Sequence, residues 1–366
     1  MNSPTRFVAL DVFRGLTIAA MILVNTPGSW AHVYWPLLHS AWHGCTPTDL
    51  IFPFFLFILG SAMHFSRKKL ERLTTPQALM RCVKRGTVIV AIGVALNVYN
   101  FLLLDLDHLR VMGVLQRIGL CFIAAGILVQ LLPFKGLYAV SVVILIGYPM
   151  VLIQGSWLPW GLEGNLVRHV DMAILGEKHM WQMNGVTFEP EGLLSTMPAI
   201  VNVLIGYEAT RRLSQMKSHF QGIRFLITAA VICLLLGYAV SVLVPINKSL
   251  WTSSYVLVSS AMALAILALL IGLVDVGRSK RFAFVWQVYG MNPLFAYIMS
   301  WLLATSLWAI SVQSNAGAVD LYTFLWQQLA GFMSLKAASL LFAAIQVSLF
   351  WCLCLWLYRR QIIIKI

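Results

Sequence analysis

The sequence predicts an all-α, polytopic integral membrane protein of about ten transmembrane helices, forming a single domain over residues 1–366. Three observations predict it. The chain is 60% hydrophobic and only 11% charged, with a mean hydropathy of +0.83, a balance that no soluble domain of this size carries. Apolar runs near 20 residues recur, the length that crosses the hydrocarbon core of a bilayer, and the short alternating segments of a β-barrel are not seen. The loops between the runs alternate sharply in charge.

The spans fall at about 8–26, 47–66, 84–104, 111–132, 137–154, 191–210, 222–244, 252–274, 283–310 and 338–358. The first opens in MNSPTRFVALDVFRG, which lacks the small-residue cleavage site of a removable signal, so this helix is expected to stay in the mature protein. Nineteen of the 26 basic residues lie in one set of alternating loops: Arg6, the cluster 67–85, Lys135, and the stretches 211–224, 278–281 and 359–365. The opposite set holds Arg110, Arg168, Lys178, Lys248 and Lys336, while Arg14 and Arg117 fall inside spans. The positive-inside rule then places both termini in the cytoplasm. The net charge of +13 is thus a signal of topology, and no nucleic-acid partner is expected.

The histidines segregate the other way. His32, His39, His43, His108, His169 and His179 all lie on the outer side, with Trp30, Trp35, Trp42, Trp157, Trp160 and Trp181. Interfacial anchoring accounts for the tryptophans more readily than for the imidazoles. Two long outer stretches, 27–46 and 155–190, mix Trp, His, Gly and acids as a substrate mouth does. The six cysteines form no CxxC pair, so neither a disulfide framework nor a zinc site is expected, and no metal is assigned.

Ionisable groups inside spans are expensive and therefore functional candidates. On the first span, positions 11, 14, 18 and 25 fall within about 60° of one another, making a polar face of Asp11, Arg14 and Asn25. The bland alternatives are an Asp11–Arg14 interfacial pair and a helix-end asparagine before Pro27. Asp49 starts the second span, where an ordinary N-cap is the competing role. Arg117 lies in the outer half of the fourth span and needs a partner, with Asp49 or Glu191 expected. Glu191 also suits the N-terminus of its own helix. Gly290 and Pro293 bracket Asn292 mid-span, predicting a broken helix beside protein or a polar cavity. Lys248 and Trp251, in PINKSLWTSS, read alone as a snorkelling lysine with an aromatic anchor. A basic inner mouth (Arg6, Asp11, Arg14, Lys84, Arg85) suits an anionic, phosphate-bearing co-substrate, and a His-centred outer mouth suits proton transfer. A secondary transporter of a polar solute is the competing class.

Seven stretches together carry a resemblance. They are LDVFRG (10–15), MILVN (21–25), HSAWHGCTPTDLIFPFFLFILG (39–60), GVLQRIG (113–119), EPEGLLSTMPAIVNVLIG (189–206), INKSLWTSSYVL (246–257) and GMNPLFAYI (290–298). In these the chain resembles the transmembrane acetyltransferases typified by lysosomal heparan-α-glucosaminide N-acetyltransferase, above all short bacterial inner-membrane members linked to N-acetylglucosamine use. The resemblance implies acetyl transfer from cytosolic acetyl-CoA to the amine of a glucosamine on the far side of the membrane. It implies His39 as the active histidine, with Asn25 beside it and Arg6 and Arg14 toward the CoA; Asp49, which starts the span after the histidine loop, is expected to orient His39 or hold Arg117, and Asn25 and Arg117 are added on the CoA side. His43, Glu191, Lys248, Trp251 and Asn292 are then expected on the sugar side, and a homodimer is the assembly to test. The pattern departs at His43, which stands where the animal enzyme has asparagine, so a second imidazole lies close to His39. The animal enzyme's long luminal domain and extra first helix have no counterpart in these 366 residues, which points to a small amino sugar or short oligosaccharide. An O-acyltransferase acting on a surface glycan shares the donor and differs in the acceptor.

Overall fold

The computed structural model describes residues 7–70, 73–183, 185–314 and 317–364. Among these the chain is almost wholly helical. The helices are α1 (Val8–Asn25), α2 (Ile51–Leu70), α3 (Thr75–Leu103), α4 (Val114–Leu131), α5 (Phe134–Gln154), α6 (Leu166–Leu175) and α7 (Leu193–Leu213). They continue as α8 (His219–Ser241), α9 (Ser253–Leu270), α10 (Lys280–Met291), α11 (Pro293–Ala309), α12 (Leu321–Ala330) and α13 (Leu335–Arg359). Two small antiparallel hairpins, Gln182–Met183 with Val186–Thr187 and Ser311–Ser314 with Gly317–Asp320, interrupt the loops. Nine helices among the described residues are long and apolar enough to cross a membrane. A shorter apolar helix, α11, follows α10 directly. The chain is therefore an all-α, polytopic membrane protein. Alternate loops return to the same end of the bundle, giving a basic end and a histidine end.

The crossings form an inner and an outer layer. The spans of α1, α2, α4, α7 and α9 are mostly buried, whereas α3, α5, α8 and α13 expose apolar faces where lipid would lie. Between apolar helices in lipid, close backbone approach is the main source of cohesion, and small residues permit it. Glycines sit where helix pairs cross. A Cβ on Gly206 of α7 would lie 1.9 Å from the carbonyl oxygen of Phe57 on α2, and one on Gly60 would lie 1.8 Å from that of Val203. Gly15 of α1 and Gly290 of α10 meet in the same way, at Trp286 and Asp11. We expect Gly206→Ala to force α2 and α7 apart and cost about 1–3 kcal/mol, read as a lowered Tm of the detergent-solubilised protein.

Three boundaries differ from the sequence expectation. Helix α3 starts at Thr75, not near residue 84, because Thr74 and Gln77 form a capping box and Pro76 occupies the first turn, so Arg81, Lys84 and Arg85 are helical. Helix α9 runs into a wider π-type turn, Ile271–Val276, whose Asp275 carboxylate accepts the Val8 and Ala9 N–H groups (3.0 and 3.3 Å) and so caps α1. The predicted break at Asn292 is present, but it lies toward the basic end, at the level of Asp11 to Gly15, and not mid-span. The Asn292 amide donates to Ile362 O (3.0 Å) and accepts from Ile364 N–H (2.8 Å). It thus satisfies the backbone of the chain that follows α13. Arg6 lies outside the described residues.

Candidate active site at the histidine end

Residues 39–50 fold back on themselves because Asp49 collects their donors. Its Oδ2 accepts from Ser40 N–H and Thr46 N–H, each at 3.0 Å, with Thr46 Oγ in contact at the same distance, and its Oδ1 lies 2.7 Å from His39 Nδ1. Asp49 thus bonds backward into the loop, and the single 3-10 turn Thr48–Leu50 leads into α2. Thr46 Oγ–H also reaches Leu38 O (2.7 Å) and Thr48 Oγ–H reaches Pro36 O (3.0 Å), while Gly44 takes a φ of +107° that suits glycine. An aspartate 1% exposed orients an imidazole that is 44% exposed. A carboxylate with two backbone N–H donors on one oxygen and an ammonium near the other is ionised, so the shared proton belongs to Nδ1. The lone pair of neutral His39 then sits on Nε2.

The loop before α9 closes the back of this arrangement. Buried Asn247 donates to Trp42 O (2.9 Å), accepts from Leu250 N–H (2.8 Å) and contacts His43 Nδ1 (3.3 Å), and Gly44 N–H reaches Ile246 O (2.8 Å). Burial holds the His43 imidazole below its ordinary range. Lys248 Nζ lies 2.9 Å from His39 Nδ1 and 3.4 Å from Asp49 Oδ1. Beneath them, Tyr255 O–H donates to the backbone carbonyl of Asp49 (2.6 Å). Cys45 is a neighbour without nucleophilic character: burial first, then Asp49, pushes its thiol up to about 12 against the opposing pull of Lys248.

Trp251 is not an interfacial anchor. It is buried, adopts a φ of +52° and donates Nε1–H to Asn202 Oδ1 (2.9 Å), with Phe52 and Tyr255 packed edge-on at 5.3 and 5.2 Å. Its ring faces the guanidinium of Arg117 at 4.9 Å. Arg117 is fully buried and pairs with neither Asp49 nor Glu191; it donates to Gly192 O (3.2 Å) and to Ser195 Oγ at the start of α7. The acid expected for it is claimed by Arg110, which binds Glu189 through two hydrogen bonds (2.9 and 2.5 Å) and Glu191 through one (2.6 Å), and stacks on Trp181 at 5.1 Å. Burial would raise the Glu191 carboxyl, but Arg110, then Arg117 and Lys248, hold it below its ordinary range. Asp171 of α6 accepts Leu193 N–H (2.8 Å) at the head of α7, and burial raises its carboxyl to about 6. Gly192 is required there, since a Cβ would sit 1.8 Å from Asp171 Oδ2.

The structure therefore brings together His39, Asp49 and Lys248, with His43 and Glu191 nearby. It does not bring Asn292 to them. Asn25 ends α1, half-buried, and no hydrogen bond among the described residues joins it to His39. At the far end of the same helix, Arg14 lies 3.4 Å from both Asp11 Oδ1 and Gly290 O, and Arg85 of α3 sits within electrostatic reach of it. Sequence reasoning missed Arg110, Glu189, Asp171, Asn202 and Asn247. A signal existed for one pair: two acids in EPEG, next to a buried helix start, require a cation.

The family model for heparan-α-glucosaminide N-acetyltransferase, catalytic, matches residues 6–221. That is more than half of the chain, and it takes in α1, the His39–Asp49 loop and the Arg110–Glu189 cluster. This chain belongs to that family. Heparan-α-glucosaminide N-acetyltransferase of Mus musculus is 29% identical over 357 residues, covering 81% of this chain and 53% of the mouse protein. That of Homo sapiens is 28% identical over 355 residues, covering 81% and 52% respectively. The chain thus spans about half the length of the curated relatives it matches. Within the acetyltransferase family match lie His39, Asn25 and Asp49, whereas Asn247, Lys248 and Trp251 come from beyond its end.

Proposed function

We propose that this protein carries acetyl groups across a membrane, from acetyl-CoA held at the basic end to the amine of a glucosamine-type sugar at the histidine end. One observation carries the reading: the His39–Asp49 pair, with a half-exposed imidazole, lies in the loop that follows a helix whose opposite end bears Arg14 beside Arg85. From Arg14 to Asn25 that helix rises about 16 Å, a distance that an extended pantetheine arm covers. Family membership supports the acetyl chemistry. The distribution of basic loops supports a cytoplasmic basic end, and the resemblance to short bacterial members points to the bacterial inner membrane.

In this reading His39 Nε2 takes a proton from the sugar ammonium or the attacking amine. The new N–C bond forms as the thioester C–S bond breaks, and CoA leaves as the thiol. Asn25 donates a hydrogen bond to the acetyl oxygen as charge develops on it. Arg14 and Arg85, with Arg6, meet the phosphates. Glu191 and His43 face the sugar. Arg117 supports the head of α7 and Trp251 supports Arg117, so neither is assigned a ligand, and Asn292 is assigned to the chain end. Direct transfer is favoured over an acetyl-His39 intermediate because an acyl-imidazole on a half-exposed side chain hydrolyses readily.

The test is purified protein with acetyl-CoA and glucosamine, chitosan oligomers or muropeptide sugars, followed by mass spectrometry of the products. N-acetylated sugar is the expected product. An O-acetyl ester would change the acceptor class, and sugar uptake into vesicles without acetyl-CoA would replace the enzyme with a transporter. In a single turnover with radiolabelled acetyl-CoA and no acceptor, no label is expected on the protein; stoichiometric label on His39 would establish a covalent step.

A further inference from the structure

We propose that Lys248 is a positioning residue for His39: its ammonium, seated on the His39–Asp49 pair, keeps the imidazole neutral and Nε2 free to accept a proton. The proposal rests on the reading of His39 as proton acceptor and changes the role of the lysine from sugar ligand to part of the base. Asp49 Oδ2 is taken up by two backbone N–H donors, and Oδ1 faces Nδ1 at 2.7 Å and Lys248 Nζ at 3.4 Å. An aspartate beside a histidine by itself favours the imidazolium, which has no lone pair to offer. A second cation on the same carboxylate opposes that charge: Lys248 Nζ is 3.4 Å from Oδ1 and 2.9 Å from Nδ1, and with Nδ1 protonated both groups carry hydrogens, so that closer contact is electrostatic and not a hydrogen bond. Orientation is kept while charging is resisted.

Exposure agrees with this division of labour. The Lys248 side chain is 18% exposed against 44% for His39, so the imidazole is the more open of the two to a substrate. The other groups around the pair do not replace it. Cys45, in the same loop, is a neutral thiol. His43 rests on Asn247, and Tyr255 of α9 donates to the Asp49 carbonyl. Glu191, ahead of α7, is within electrostatic reach of Lys248. Arg110 is engaged by Glu189 and Glu191, and Arg117 by Ser195, Gly192 and Trp251.

The experiment follows the His39 imidazole by NMR titration in detergent, with no substrate, alongside the pH–rate profile of acetyl transfer. Without Lys248, Asp49 acts on the imidazole unopposed, the cationic form persists to higher pH, and the base is lost over a wider acid range. In Lys248→Met both the His39 titration and the acid limb of the profile are expected to move up by about one pH unit, with activity recovered at alkaline pH. Lys248→Arg is expected to restore both positions. Lys248→Gln, which keeps length and polarity, has the same expected direction as methionine and serves if the methionine variant does not fold. An unmoved titration overturns the proposal, whether activity falls uniformly with pH or the change is confined to the sugar KM. A moved titration in a protein that acetylates no amine supports the Lys248–His39 coupling and removes the proposed reaction instead.

Discussion

His39→Ala is expected to lower acetyl transfer to sugar amines by about 10²–10⁴-fold, the range supplied by a positioned general base. The loss should fall on kcat, because the imidazole acts as the new bond forms. Protein stability should change little. The side chain is 44% exposed, and without it Asp49 keeps its two backbone donors and Lys248 as counter-ion. A matched Tm with lost turnover therefore separates chemistry from unfolding. His43→Ala is the necessary control, since that imidazole rests on Asn247. Turnover within tenfold of the unsubstituted protein in His39→Ala, together with collapse in His43→Ala, would transfer the role to His43.

Arg110→Ala is expected to cost about 3–5 kcal/mol, the price of leaving buried carboxylates without their cation. Glu189 is fully buried, and its Oε1 already accepts the N–H of Glu191, so the two acids would face each other across one turn of chain. The measurement is thermal unfolding in detergent at neutral and acidic pH. The Glu191 carboxyl is held below its ordinary range in the folded protein, so its contribution is present above the unfolded value and lost as pH falls through the lower, folded one. Arg110→Ala removes most of that contribution in advance. The difference in Tm between the two proteins should therefore be largest near pH 7 and shrink below about pH 4, where carboxyls in the variant are protonated. A difference that stays constant with pH would mean that Arg110 stabilises by packing on Trp181 instead.

The number and order of crossings were readable from sequence because transfer into a bilayer sums over local residues, and a run near 20 apolar residues declares itself. The break before Pro293 was equally local, since a proline removes a donor and clashes with the preceding turn. So was the segregation of basic loops from histidines. The start of α3 was misjudged because hydropathy locates the membrane and not the helix, and a capping box extends α3 beyond its apolar part. Short helices such as α6 and α12 were not anticipated as elements at all.

The sequence alone determined the class of fold, the polar face of α1, and the placement of His39 ten residues before Asp49, near enough for a single loop to join them. Only the tertiary structure decided which charges meet. Lys248 reaches His39 across 209 positions, Arg110 takes the acids expected for Arg117, and Trp251 turns inward to cover that arginine. Pairing of buried ions depends on three-dimensional proximity and on which donors are already satisfied, and neither quantity is a property of any local stretch of chain.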